Sequence, residues 1–420
     1  MSSGNIKGIV ANRNVLVTSL TSALAVFFNQ VYNPFWPLYL QDVLGLTVVE
    51  IGILAMIQRS ENLLFQLPGG ILADRIGRKK VTLLGAAARI GAPIILLMSK
   101  SVEQIALGTL FSAMASLSNP AFQALIAESL PRDQMGSGYG VYVMVRRAPQ
   151  LFTALIGGLL MDGLGLGRGT QVALIGSFFC GTLSFLIRYR LLTETLVKKS
   201  EKKTSIMEDF REVLPLFKGN LRGMQITSCI LQFSAGLTAQ LIILYVNEVI
   251  GLTNTEWGII TTTMAVIGFL ASVPGGYVAD RFNRVKLVSF AEAISVLSNI
   301  GYVTFRNFYQ ILATRMVSGI GMGLSGATHL GVMGGPAWYS LMADFVPMHM
   351  RGRVNGIMAT MSGIVALPAP YIGAYMWEAE EIGPDRTLLS SVFAGLSASV
   401  FFLATMKDPK KGPTKETLAS

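Results

Sequence analysis

Apolar runs of about twenty residues, parted by short polar turns, follow one another along nearly all of this 420-residue chain. That is the length an α-helix needs to cross a hydrocarbon layer ~30 Å thick. Inside lipid a backbone donor or acceptor has no water to turn to, so the segment must pair its own groups. Charged residues are only 14% of the sequence, against about 25% in a soluble domain, and the mean hydropathy is +0.53. The chain is therefore read as an all-α integral membrane protein. Its first apolar run starts after Arg13 and carries Asn29, Gln30 and Asn33 with no small-residue cleavage pattern, which makes it a retained span, not a signal peptide. Cys180 and Cys229 are the only cysteines and both sit in apolar segments, so neither a disulfide framework nor a metal site is expected.

Twelve transmembrane helices are expected, in two six-helix repeats. The first six fall near Val15–Leu40, Val49–Ala73, Val81–Met98, Glu103–Phe122, Gly138–Met161 and Val172–Leu191. The second six fall near Met224–Val246, Trp257–Val278, Leu287–Phe305, Tyr309–Leu330, Val354–Trp377 and Leu388–Met406. The longest polar segment, with "KKSEKK", lies between them. The expected organisation is an N-terminal bundle over residues 1–192, a cytoplasmic linker over 193–222, and a C-terminal bundle with a cytoplasmic tail over 223–420. Lys and Arg are retained on the cytoplasmic side. Lys100, Arg168, Arg306 and Arg386 lie on one side and five arginines lie within spans; the remaining 25 of the 34 bases share the other side with both termini. Both termini are thus assigned to the cytoplasm of a cell-membrane protein. The net charge of +10 is then mostly topology, and a nucleic-acid partner has no support.

One charged turn is written twice. "PGGILADRIGRKK" (Pro68–Lys80) returns as "PGGYVADRFNRVK" (Pro274–Lys286), 206 positions later. At the same offset "LYLQDVLGLTVVEIGI" from Leu38 aligns without a gap on "LYVNEVIGLTNTEWGI" from Leu244. Further on, "PAFQALIAESLP" matches "PAWYSLMADFVP", but Pro120 meets Pro336 at an offset of 216, so ten extra residues entered within the tenth span. These are tandem repeats in one orientation, as six spans per repeat require.

The doubled turn resembles the loop between the second and third helices of the major facilitator superfamily, and its copy the loop between the eighth and ninth. "NPFWPLYL", with Pro34 and Pro37, resembles the proline pair near the end of that family's first helix, and "RMVSGIGMG" from Arg315 its arginine–glycine motif, here placed in the tenth helix. The resemblance covers nearly the whole chain. It implies two six-helix bundles about a central cavity closed alternately on either side, with the substrate site at the midplane.

The doubled turn is expected to form a cytoplasmic gate. Gly70 and its neighbour Gly69 allow close backbone approach, and Asp74 is placed to face a helix N-terminus, a contact of ~0.3–1 kcal/mol. Arg75 and Arg78 can pair with Glu128; Asp280 repeats Asp74, and Arg281 and Arg284 can pair with Asp344. Charges that merely set topology are the alternative.

Intramembrane charges point to function. Arg59 and Glu61 lie in the second helix, Arg89 in the third, Arg146 and Arg147 in the fifth, Glu292 in the ninth and Arg315 in the tenth. An arginine facing lipid costs at least ~2.5–3.5 kcal/mol, so most must face water or a partner. Gln58, Arg59 and Asn62 share one side of the second helix; Tyr142, Arg146 and Gln150 form a stripe on the fifth; Asn29 and Asn33 do so on the first, and Gln225, Ser228 and Gln232 on the seventh. In the family resembled these helices face the cavity. Arg59, Arg146, Arg147 and Arg315 are therefore candidates for a positive site that grips carboxylate or phosphate. Glu61, Arg89 and Glu292 are candidates for internal pairing or for proton coupling.

The expected function is a secondary transporter of a small, anionic solute, with protons as the candidate coupling ion, no cofactor, and a monomeric state. A multidrug efflux permease, a lipid or lysolipid flippase and a non-transporting receptor remain alternatives. No Walker loop, metal-ligand spacing or nucleophile elbow supports ATP-driven transport or an enzyme. The glycine-rich excess in "SGIGMGLSGATHLGVMGG", with His329, is expected either to break the tenth helix toward the cavity or to leave it as a loop.

Overall fold

The computed structural model describes residues 12–129, 144–146, 148–195, 214–325, 336–346 and 350–406, and among these all regular structure is helical. The chain divides into two compact units, Met1–Lys203 with Leu252–Thr262, and Thr204–Gly251 with Thr263–Ser420.

In the first unit α1 spans Arg13–Tyr32, α2 Val48–Arg59, α3 Leu67–Ile76, α4 Arg78–Met98, α5 Val102–Met114, α6 Ser118–Ser129, α7 Thr153–Leu164 and α8 Leu166–Leu191. The later part of the chain carries α9 Gly219–Thr238, α10 Asn254–Arg281, whose first turns belong to the first unit, α11 Arg284–Leu297, α12 Phe308–Ser325, α13 Pro336–Phe345, α14 Arg351–Ala366, α15 Ala369–Glu378 and α16 Gly383–Thr405. Local chemistry sets where these begin. Asn12 accepts from the Asn14 and Val15 N–H groups to start α1, and Asn283 accepts from Lys286 N–H to start α11. Thr47 and Glu50 form a reciprocal capping box on α2, and Thr253 and Glu256 repeat it on α10, 206 positions later. Each box satisfies donors that the first turn of a helix would otherwise leave bare.

Seven helices among the described residues are long and apolar enough to cross a bilayer, and an eighth is a pair bent by 42°, Gly219–Thr238 with Ile242–Ile250. The difference from the expected twelve has physical causes. The second expected span is α2 and α3 joined through a wider, π-type turn at Asn62–Gln66, so it does not read as one helix. The fifth is described only in part. Helix α10, with 28 residues, reaches about 42 Å at 1.5 Å per residue, ample for a crossing. The tenth span is helical to Ser325 and helix resumes at Pro336; His329 and the glycine run around it lie outside the described residues.

Several helix crossings recur at corresponding positions in the two repeats. A Cβ on Gly69 would run into the Leu117 carbonyl oxygen, and one on Gly275 would meet the Gly323 carbonyl at 2.6 Å; both members of the pair shift by 206. Gly157 lies against the Val31 carbonyl as Gly373 lies against that of Leu237, with the fifth-span member shifted by the expected 216. Gly85 and Ala115 touch in the first unit; in the second the same crossing is made by Ala291 and Gly321, the glycine having changed sides. Small residues let helices approach until backbones touch, which is how bundles hold together where lipid removes the hydrophobic drive. Gly157→Ala should therefore lower the melting temperature in detergent, with an overpacking cost of about 1–3 kcal/mol. Gly163→Ala, in the same helix with nothing within 4 Å, should be neutral or stabilising by up to about 1 kcal/mol.

Candidate functional site

Polar side chains inside the first unit converge on one cleft. Arg89 from α4, Arg146 from the helical stretch 144–146 and Arg188 from α8 line it, together with Ser22 of α1 and Asn119 and Phe122 of α6. Three arginines thus border one cleft.

Arg188 is the most deeply set of the three, at 2% exposure. Its Nε donates to Thr21 Oγ1 at 2.9 Å and its Nη2 to Ser22 Oγ at 3.3 Å. Its plane lies 4.6 Å from the centre of the Phe122 ring, a cation–π distance. One turn earlier, Ser184 donates to the Thr21 carbonyl at 3.1 Å. Two hydroxyls and a ring thus hold the side chain of α8 against α1 and α6. Sequence reasoning counted Arg188 among the flanking bases because it lies three residues from the helix end. The available signal was the four-residue spacing from Ser184, which puts two polar groups on one helix face.

Glu61, just beyond the end of α2, is half-buried. Arg59 is half-buried and is not among the cleft residues. Gln58 and Gln150 are likewise half-buried, as is Gln232 on α9. Asn29 donates to the Tyr32 hydroxyl at 2.8 Å, along its own helix, and Asn33 opens the short turn Asn33–Phe35. Tyr142 and Arg147 lie outside the described residues, as do the side chains of Asn62 and Asp280.

Two expectations for the cavity are corrected. Arg315 is not cavity-lining: at 5% exposure it donates to Ser298 Oγ (2.7 Å) and Asn299 Oδ1 (2.8 Å) and stacks on Tyr302, fastening α12 to the end of α11. The stripe on α9 is not wet along its length. Gln225 and Ser228 are 4% and 3% exposed and meet Ser362 of α14 at 3.1 and 3.0 Å. Both are interhelical polar contacts of the kind that pack helices in lipid. Glu292, at 3% exposure, is also interior to its unit.

The doubled turn forms one ion pair with the expected acid in each copy. Arg78 bonds Glu128 at 3.1 Å and also Asp74, four residues back on the same turn; Arg284 bonds Asp344 at 2.6 Å. The other base of each copy does not join: among the described residues Arg75 makes no ion pair, and Arg281 lies over the Tyr277 ring at 4.2 Å. Gly70 makes only ordinary contact, with Pro120. Glu194 was not anticipated. Its carboxylate accepts from the Arg78 and Lys79 N–H groups at 2.9 and 3.1 Å, capping α4 over Gly77, whose φ of +110° suits glycine.

Tandem helical repeats, glycine-packed crossings and a basic interior cleft define a multi-pass membrane transporter. The chain belongs to the Major Facilitator Superfamily, whose model matches residues 18–370 and 224–419. It is 28% identical over 374 residues to the multidrug resistance protein MdtG of Salmonella typhi, covering 86% of this chain and 88% of that one. Its fold is similar to that of the nucleoside transporter NupG (TM-score 0.76, 13% identity, 94% of this chain and all of the other). It also matches a bacterial homologue of the lysosomal transporter Spinster (TM-score 0.72, 15% identity, 96% and 98%).

The packing of Arg188 makes a definite prediction. Arg188→Lys keeps the charge but cannot present a planar fork to two hydroxyls. It should lower stability by about 1.5–3 kcal/mol, the range for hydrogen bonds to charged groups, as read by thermal unfolding in detergent.

Proposed function

We propose that this protein is a secondary transporter that moves a small organic solute bearing an anionic group across the cell membrane by alternating access. The observation that carries the reading is that Arg89, Arg146 and Arg188, from three separate stretches of chain, border one cleft. Guanidinium forks match carboxylate and phosphate with paired hydrogen bonds, and a low-dielectric surrounding strengthens each one. Phe122 borders the same cleft and is the apolar group there that would meet the organic part of such a solute. Residues 1–192 and 223–420 are the two bundles of this cycle and 193–222 the linker, with the termini and charged turns cytoplasmic by the bias of basic residues. The gate reading of Asp74, Arg78 and Glu128, and of Arg284 and Asp344, belongs to the same cycle: these pairs favour one state of a two-state equilibrium. Glu61, half-buried beyond the end of α2, is the candidate proton carrier. The bilayer and the solute are the partners, and the working unit is a monomer.

A second reading is favoured by the MdtG relatives: export of structurally varied drugs, in which the arginines would matter less than the apolar group. Purified protein in liposomes separates the two. Under an imposed pH step, flux of an aromatic carboxylate should fall at least tenfold in both Arg89→Ala and Arg146→Ala. Undiminished anion flux in both variants would overturn the anionic substrate. Flux of a cationic dye untouched by either change would favour the drug-export reading.

A further inference from the structure

The end of the first unit away from the charged turns holds a carboxylate that the cleft does not use. Asp162 lies on the last turn of α7, just past the fifth expected span. Its Oδ2 accepts from Thr255 N–H at 2.7 Å; its Oδ1 accepts from Asn254 Nδ2 at 2.9 Å and from Asn254 N–H at 3.3 Å. The first turn of α10 can be accounted for donor by donor. Thr253 N–H gives to Glu256 Oε2, Glu256 N–H gives to Thr253 Oγ1, and Trp257 N–H makes the first bond along the helix, to the Thr253 carbonyl. The two donors left over, those of Asn254 and Thr255, both go to Asp162.

Beneath this contact the two backbones touch. A Cβ on Gly158 would strike the Asn254 carbonyl oxygen, and one on Gly258 would come 2.6 Å from that of Ala154. Ala154, Gly158 and Asp162 stand four residues apart and form one stripe on α7. Helix α10 is divided along its length: Leu252–Thr262 belongs to the first unit, and from Thr263 onward the helix belongs to the second. At the 216 offset the acid recurs in the sequence as Glu378.

We propose that Asp162 is a gating residue of the transport cycle, the latch that holds the first turns of α10 on α7 while the face opposite the charged turns is closed. The inference rests on the alternating-access reading given above. Opening that face requires α10 to leave α7, against the close backbone contacts of the glycine crossing. The Asp162 contact is the directional one. It sets a carboxylate at the positive end of a 28-residue helix, where anions are favoured. Burial raises the Asp162 carboxyl, but the Thr255 and Asn254 donors outweigh it and hold the group below its usual range, so the latch is charged at neutral pH. It persists above the ordinary carboxylate range and is lost only as pH falls through the lowered value.

The test uses the full chain in liposomes, with Cys180 and Cys229 replaced by Ser and one reporter cysteine at a time. Ala154→Cys reports on the α7–α10 crossing and Asn119→Cys on the cleft; labelling by a membrane-impermeant maleimide is timed with and without Asp162→Ala. The expected result is reciprocal: labelling at 154 rises about tenfold and labelling at 119 falls, with Asp162→Glu restoring much of the parental pattern. A merely structural role would not move the distant reporter. Rates unchanged at both positions, or raised at both together, would overturn the latch. Solute flux in the parent is measured alongside. Reciprocal labelling without flux of any tested solute would leave the latch standing and count against the transporter reading instead.

Discussion

Contact between helix backbones at glycine is the constraint on which this structure depends. Lipid tails are as apolar as leucine, so helices in a bilayer gain little from burying leucine against leucine. They gain by approaching until dispersion contacts and carbonyl dipoles of neighbouring backbones engage. Gly69, Gly157, Gly275 and Gly373 each sit where a methyl group would collide with a carbonyl oxygen. The same crossings recur in both repeats although the sequences around them differ. The change of side between Gly85 and Gly321 shows that the crossing, and not the residue, is what is kept.

Onto that frame the polar groups are added in two ways. Some fasten helices: Gln225, Ser228 and Ser362 in one place, Arg315 with Ser298 and Asn299 in another, each satisfied inside its own unit. Others line space, and the cleft between α1, α4, α6 and α8 gathers arginines from three separate stretches of chain. Arg188 belongs to both groups. Its fork is spent on Thr21 and Ser22, yet it borders the cleft and contributes its charge there. A low-dielectric interior makes such a charge felt over a longer range than at a surface.

The fold was largely legible in the sequence because membrane spans and repeats are one-dimensional signals. Run length gave the helices, and the fixed offset of 206 gave the repeat, down to the two capping boxes. Where a helix departs from uniform winding, run length misled. The turn at Asn62–Gln66 is a matter of hydrogen-bond pairing that no residue there announces. The site was less legible. Facing was read from the helical period, but the period cannot say whether a polar stripe meets water or another polar stripe. Arg315 and Gln225 answer to partners on other helices, Asn299 and Ser362, whose proximity is a property of the packing. Arg188 was misplaced for a related reason, since a base near a helix end looks the same whether it turns outward to solvent or inward to a hydroxyl.

The wider turn between α2 and α3 also makes the two repeats mechanically unequal. In the first repeat that span is jointed midway; its counterpart α10, where Gly268 stands in place of Asn62, runs as one helix of 28 residues. A wider turn is a point at which one end of a span can tilt against the other. The two copies of one span thus differ at their middle: α10 keeps a continuous ladder there and meets its own break in pairing further on, at Pro274, close to the charged turn.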